Sequence, residues 1–170
     1  MKIISLTIAA IFAAASFTAA AAQHTITGGY ANTNVKTLDT DLKGVNVKYN
    51  YTFDNSPFGL IASVTATEHE ETINGYIPVK VKGEYFSAAL GASYAVTDWA
   101  KPYVMIGSGK GTIKAATYYG DAEENENGFV YGAGIQFTPF AGFTIDTSYE
   151  HTKVFESDIN TFVLGAGWRF

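Results

Sequence analysis

The final ten residues of the sequence alternate between two kinds of side chain. One parity is apolar and mostly aromatic, and consists of Phe162, Leu164, Ala166, Trp168 and Phe170. The other parity is mostly small or polar, and consists of Thr161, Val163, Gly165, Gly167 and Arg169. Because successive side chains of a β-strand point to opposite faces, this stretch predicts a strand with one apolar and one polar face. Such a strand is typical of a transmembrane β-barrel, which has lipid outside and a polar lumen inside.

The same alternation recurs seven more times upstream. The predicted strands cover 23–32, 43–53, 58–67, 82–96, 101–114, 128–138 and 143–153. The 17 glycines, 11 tyrosines and 12 phenylalanines also favour strands and tight turns. The sequence therefore predicts an all-β fold, an eight-stranded antiparallel transmembrane β-barrel with an up-and-down meander.

The connections between these strands alternate in length. Short turns are predicted at 54–57, 97–100 and 139–142. Longer connections are predicted near 33–42, 68–81, 115–127 and 153–159. Outer-membrane barrels have short periplasmic turns and longer external loops. We therefore expect the four longer connections to be external loops, and both termini to be periplasmic.

The first residues of the sequence have the features of a secretory signal peptide. Lys2 precedes a short apolar run, and small residues follow as far as Ala22. The run is short for a membrane-spanning helix, which needs about 20 apolar residues. We predict that residues 1–22 are removed and that 23–170 form one barrel in the outer membrane of a Gram-negative bacterium.

Four charged residues have the inward parity of their strands: Lys48, Asp146, Glu150 and Arg169. The interior of an eight-stranded barrel is just wide enough for side chains to fill it. Because an unpaired buried charge is costly, these residues are expected to pair with one another in a polar lumen network. We interpret the network as a structural plug. An ion or proton path is the alternative, and it would need a continuous wet lumen.

Lysines of outward parity collect near the predicted external ends of the fourth and fifth strands. They are Lys80, Lys82, Lys110 and Lys114. Lysine stems lie along apolar surface while their ammonium groups reach anionic headgroups. We hypothesise that these four residues bind the phosphates of lipopolysaccharide. Ordinary solubilising charge beyond the membrane is the alternative.

No pattern in the sequence indicates catalysis or metal binding. His24, His69 and His151 lack ligand spacing, and there is no nucleophile elbow or phosphate loop. Residues 23–170 carry 10 basic and 16 acidic residues once Lys2 is set aside, a net charge of −6, without a basic cluster. This balance argues against nucleic-acid binding. We expect no enzymatic activity, no cofactor and no metal site.

Several short segments carry a resemblance to a known family. They are TGGYA at 27–31, DNSP at 54–57, DWA at 98–100, YGAGIQF at 131–137, SYE at 148–150 and GAGWRF at 165–170. Together they resemble the Ail/OmpX/Lom family of outer-membrane proteins, and are nearest to its OmpX members. The resemblance implies a barrel with a packed lumen and roles in adhesion to host cells, invasion or complement resistance. Gly165, Trp168 and Phe170 resemble the C-terminal signal by which such barrels are recognised for insertion.

These features predict a surface interaction protein that acts through its external loops. The expected partners are outer-membrane lipid, lipopolysaccharide, the barrel-insertion machinery and host surface or serum proteins, and the expected state is a monomer. The segment 72–84 is rich in residues of high β-propensity, and we hypothesise that it offers an edge for strand addition. The alternative is a structural barrel that supports envelope integrity and interacts mainly with lipopolysaccharide.

Overall fold

A computed structural model of the chain describes residues 23–36, 40–73, 79–117, 120–154 and 157–170. The strands are β1 (Gln23–Val35), β2 (Thr40–Thr52), β3 (Phe58–Ile73), β4 (Val79–Tyr94), β5 (Ala100–Thr117), β6 (Gly120–Phe140), β7 (Phe143–Val154) and β8 (Ser157–Arg169). Each strand pairs antiparallel with the next, and β8 pairs with β1 to close the barrel. The predicted fold class is confirmed. The predicted signal peptide, residues 1–22, lies outside the described residues.

The barrel is polar inside and apolar outside. In β7 the inward Asp146, Ser148 and Glu150 are buried, whereas the outward Ile145 and Tyr149 are exposed. The same alternation places Phe86, Leu90 and Tyr94 of β4 on the outer surface. The apolar stretch of β4 runs from Phe86 to Tyr94, which suits the ~9–11 residues that a tilted strand needs to cross a bilayer. Among the described residues, no helix is long and apolar enough to span a membrane.

Four strands continue well beyond this apolar band at one end of the barrel. β3, β4, β5 and β6 have 16, 16, 18 and 21 residues, whereas β7 and β8 have 12 and 13. Much of the predicted connections 68–81 and 115–127 is therefore strand. The backbone ladder between β5 and β6 runs without a break from Lys110↔Asn127 to Thr117↔Gly120. We call the part formed by 69–73, 79–84, 110–117 and 120–127 the protruding sheet.

The other two predicted external connections are also shorter than expected. β1 continues to Val35 and β2 begins at Thr40, while β7 continues to Val154 and β8 begins at Ser157. We call the end of the barrel that carries these four connections the tall end.

The opposite end, which we call the short-turn end, has compact turns. Between β6 and β7 the turn consists of Ala141 and Gly142, with φ values of 44° and 81°. Positive φ at both central residues is characteristic of the two-residue turn whose twist matches a β-hairpin. Asn55, in the turn after β2, also has a positive φ of 53°. Because β1 and β8 pair antiparallel, Gln23 and Phe170 lie at this same end of the barrel.

Candidate functional site

The middle of the lumen contains a buried ion pair. Lys48 Nζ donates to Asp146 Oδ1 at 2.9 Å and to Asn46 Oδ1 at 2.8 Å. The Tyr103 hydroxyl donates to the Asp146 carboxylate at 3.0 Å. Lys48 and Asp146 are each only 1% exposed. The pair lies on β2 and β7, so it connects two strands that are not neighbours in the barrel.

Glu150 is buried in the same lumen, but hydroxyl groups surround it. Ser87 Oγ donates to Glu150 Oε2 at 3.1 Å, and Ser63 and Thr65 donate to the carboxylate at 3.3 and 3.4 Å. Within the described part of the chain, the carboxylate of Glu150 forms no ion pair with a lysine or arginine. Hydrogen bonds from three hydroxyl groups on β3 and β4 therefore stabilise this buried carboxylate.

The rest of the lumen is filled by further side chains. Asn50 Nδ2 donates to Gln136 Oε1 at 3.1 Å, and Ser93 Oγ donates to Asn50 Oδ1 at 3.1 Å. Two buried apolar clusters also point inward, one of Ile61, Ala89, Tyr103 and Met105, the other of Val35, Leu42, Tyr85, Val154 and Ile159. These contacts favour the structural-plug interpretation of the lumen.

Arg169 lies outside the network that it was predicted to join. Its Nη1 donates to the backbone carbonyl of Asp98 at 2.6 Å, at the short-turn end of the barrel. The inward parity of Arg169 is as predicted. Because Arg169 is the last residue of β8, that parity places its side chain at the mouth of the lumen, away from Lys48 and Asp146.

A second cation, Lys101, lies at this mouth and was not among the predicted residues of the lumen network. The side chain is buried, and Nζ donates to Thr52 Oγ1 at 2.8 Å and to Gln23 Oε1 at 3.1 Å. Lys101 shares its parity with the inward Tyr103 at the start of β5. That parity was the signal that could have identified it.

The predicted lipopolysaccharide patch is a cluster of mixed charge. Lys82 Nζ lies 2.7 Å from Glu84 and 3.0 Å from Glu68, and Lys114 Nζ lies 2.9 Å from Glu84. Glu84 lies beyond Phe86 and so outside the apolar band. Hydrogen bonds from Lys82, and then from Lys114, hold the pKa of the Glu84 carboxyl below its ordinary value. The two carboxylates thus offset much of the positive charge that the four lysines were expected to present.

The other two lysines of the predicted patch differ from Lys82 and Lys114. Lys110 is exposed and stands in register with Phe86, at the edge of the apolar band. The backbone of Lys80 pairs with Thr72 and Ala116, but its side chain lies outside the described part of the structure.

The residues of the predicted insertion signal lie at the closing seam between β8 and β1. Trp168 and Phe170 point outward and are more than half exposed. The ring of Phe170 stacks on His24 with 5.8 Å between centroids. Gly165 is paired with Gly29, so the two backbones approach closely at the seam.

The protruding sheet has two open edges. The described pairing of β6 with β7 begins at Val130↔Thr152, so residues 121–124 of β6 pair with β5 and with no second strand of the described residues. The described pairing of β2 with β3 ends at Lys43↔Glu68, so residues 69–73 of β3 pair only with β4. Residues 80–84 of β4 pair on both sides. The expected edge at 72–84 is therefore wrong for its β4 part, and the open edges lie on β3 and β6.

No group of three or more metal-ligating side chains occurs in the ranges that the structure describes. The features that remain as candidate sites are the protruding sheet with its open edges, the charged cluster at the base of that sheet, and the cationic mouth at the short-turn end.

Comparisons with known proteins identify the family. Residues 4–170 match the model of the outer membrane protein β-barrel domain. The chain is 38% identical over 166 residues to outer membrane protein X of Enterobacter cloacae, covering 96% of this chain and 95% of that protein. It is 34% identical over 155 residues to the attachment invasion locus protein of Yersinia pseudotuberculosis, covering 87% of this chain and 85% of that protein.

A solved structure agrees with these sequence relatives. The crystal structure of Ail, the attachment invasion locus protein of Yersinia pestis, in complex with the heparin analogue sucrose octasulfate matches with a TM-score of 0.82. The match covers 88% of this chain and 99% of that one at 32% identity. The proteins of this family are barrels of the outer membrane and are not enzymes. The chain therefore belongs to the family of outer-membrane β-barrel proteins that includes outer membrane protein X and the attachment invasion locus proteins.

Proposed function

We propose that this protein is a surface interaction protein of the outer membrane, and that it acts through the protruding sheet. The observation that carries the proposal is the open edge of β6, where residues 121–124 pair with β5 and with no second strand of the described residues. An open edge presents a row of unpaired backbone donors and acceptors, which is a template for an added strand. The partner would therefore be a protein that contributes an extended segment.

The orientation of the barrel follows from the same proposal. Long strands and connections face outside in outer-membrane barrels, and short turns face the periplasm. The tall end would then be external and both ends of the 23–170 chain periplasmic, with 1–22 removed after export. Gly165, Trp168 and Phe170 would be read by the insertion machinery, and the mature barrel would act as a monomer.

The names of related proteins support a role in interaction with a host. The attachment invasion locus proteins and the virulence membrane protein PagC of Salmonella typhimurium are related to this chain at 31–35% identity. The corresponding activities here would be adhesion to host cells, invasion or complement resistance.

The charge of the protruding sheet narrows the kind of partner. Residues 68–84 and 110–127 contain eight acidic residues and four lysines. Yersinia pestis Ail was crystallised with a heparin analogue, which is a polyanion. Because the sheet of this chain has an excess of negative charge, we expect it to favour a neutral or basic protein segment over a sulfated polysaccharide.

Shortening the sheet tests the proposal. Deleting 113–124 and joining Thr112 to Asn125 through an Asn-Gly turn keeps the register, because these two residues are a pair. We expect bacteria with this variant to lose at least about tenfold in binding to epithelial cells or to soluble complement regulators, since the β6 edge is removed. Binding is compared at equal amounts of surface barrel.

Two further variants serve as controls for this comparison. Deleting 71–81 and joining Glu70 to Lys82, also a register pair, through an Asn-Gly turn tests the β3 edge separately. The substitution Glu124→Gln keeps the β6 edge and removes one charge, so it should bind as the wild type does. If the 113–124 deletion adheres as strongly as the wild type, interaction through the β6 edge is wrong.

The second candidate function is a structural barrel that interacts mainly with lipopolysaccharide, and the lysines at the tall end support it. Lys82 is engaged by two carboxylates, whereas the exposed Lys110 forms no ion pair with a described residue. We therefore expect Lys110→Met to reduce the stabilisation of the barrel by lipopolysaccharide more than Lys82→Met does. Melting temperatures with and without lipopolysaccharide micelles measure this, and equal stabilisation of the wild type and both variants would count against the candidate.

A further inference from the structure

A polar cavity of about 490 Å³ opens at the short-turn end of the barrel. Its lining includes Thr52, Asp54, Thr97, Asp98, Lys101 and Arg169. It lies at the opposite end from the protruding sheet, so the surface interaction proposed above leaves it without a role.

Lys101 is the buried cation of this cavity. It is only 4% exposed, and the two acceptors on its Nζ are the neutral side chains of Thr52 and Gln23. Among the described residues no carboxylate lies within ion-pair distance of it. A lysine ammonium has three donors, so one is left to point into the cavity. Because a buried cation is costly without an anionic partner, an anion at this position would be strongly favoured.

Arg169 adds a second cation of different geometry. The structure shows one side-chain hydrogen bond for it, from Nη1 to the Asp98 carbonyl oxygen. A guanidinium has five N–H donors in a planar fork that matches the oxygens of a carboxylate or phosphate. Lys101 therefore offers a point charge and Arg169 offers a planar fork of donors, and both line one cavity.

Asp54 and Asp98 limit what the cavity would accept. Both residues are exposed at the rim, whereas Lys101 lies deeper. Water screens exposed carboxylates, so they offset the two cations only in part. A small anion that reaches past the rim is favoured over a bulky polyanion, which would meet both carboxylates.

We propose that the short-turn mouth of the barrel is a binding site for a small oxyanion, a carboxylate or a phosphate, held by Lys101 and Arg169. With the orientation proposed above, this mouth faces the periplasm. Two sources have the same chemistry there: the headgroup phosphate of a phospholipid at the rim, and a soluble phosphate or carboxylate group.

The test is a titration of the refolded barrel in a non-ionic, phosphate-free detergent, with inorganic phosphate and acetate as probes. Amide resonances of Thr52 and Thr97 are expected to shift saturably in the wild type. Lys101→Met should weaken this binding by at least about tenfold, which corresponds to the loss of one charge-assisted hydrogen bond. Lys43→Met removes an exposed, outward lysine at the tall end and should leave the binding unchanged.

Removing a rim carboxylate is expected to strengthen anion binding, which is the opposite effect. Asp98→Asn keeps the backbone carbonyl that Arg169 contacts and removes a negative charge beside the anion, so it should tighten binding a few-fold. If Lys101→Met does not refold, judged by the gel mobility of the unheated barrel, Arg169→Gln replaces it with the same expected loss.

The source of the anion is read from the same titration in phospholipid nanodiscs. If the wild type no longer responds to added phosphate there, a headgroup phosphate holds the site; if it still responds, the anion is soluble. Either result upholds the site. No saturable shift in detergent, or equal shifts in the wild type and Lys101→Met, would overturn it.

Discussion

Replacing Lys48 with methionine is expected to lower the free energy of unfolding by about 3–5 kcal/mol, the usual cost of breaking a buried ion pair from one side. The variant keeps a side chain of similar length but leaves the Asp146 carboxylate without its cation. Tyr103 would still donate to that carboxylate, as it does in the wild type. Equilibrium unfolding in urea, in detergent micelles, measures the change.

A double variant separates the cost of the lone charge from the loss of packing. Lys48→Met combined with Asp146→Asn removes both charges and should recover a large part of the stability lost in the single variant. A loss below about 1 kcal/mol in Lys48→Met, the range of exposed ion pairs, would mean that the pair is hydrated and that the lumen is not a packed plug.

Gly167→Ala is expected to give the second large effect, because the closing seam has no room for a methyl group there. A Cβ on Gly167 would overlap the carbonyl oxygen of Ile26 on β1. Separating the two strands enough to admit it should cost about 1–3 kcal/mol or more, as overpacking does elsewhere. The measurement is again urea unfolding, together with the yield of refolded barrel.

The same seam offers a matched control in Gly28. A Cβ on Gly28 would meet nothing within 4 Å, and the residue faces outward. Gly28→Ala should therefore be neutral or slightly stabilising, since alanine has fewer unfolded conformations to lose. If both substitutions have the same effect, the close approach of β1 and β8 at Gly167 is not the cause.

The alternation of side chains was enough to predict the barrel. Each strand has one face in lipid and one in the lumen, so its pattern has a period of two and little ambiguity. The strand that contains Asp146, Ser148 and Glu150 illustrates this, because all three are buried as their parity predicts.

The protruding sheet could not be predicted in the same way. Residues 121–127 are almost entirely polar and lack the alternation of a membrane strand, so their sequence predicts a loop. Above the membrane both faces of a strand meet water, and no apolar face is required. Backbone pairing with β5 then determines the structure, and tertiary context outweighs the low β-propensity of Asp, Glu and Asn.

The level of each inward residue along the barrel axis also could not be predicted from the sequence. Strands in a barrel are tilted and staggered, so parity gives the face of a side chain but not its level in the lumen. Lys48 and Asp146 share a level and pair, whereas Arg169 of the same parity lies at the mouth beside Lys101. Locating these groups required the register of the closed barrel.

The most direct measurement for the proposed function is the side of the membrane on which the protruding sheet lies. The sequence contains no cysteine, so a single introduced thiol reports its own position. Glu124→Cys lies in the protruding sheet and Asp54→Cys in a turn at the opposite end, and both parent side chains are exposed. Intact bacteria are treated with a maleimide that does not cross membranes, and lysed cells serve as the control.

We predict that Glu124→Cys is labelled on intact bacteria and that Asp54→Cys is labelled only after lysis. That result would place the open β6 edge where a host or serum protein can reach it. Labelling of Asp54→Cys on intact bacteria, with Glu124→Cys protected until lysis, would put the sheet in the periplasm and contradict a surface interaction function.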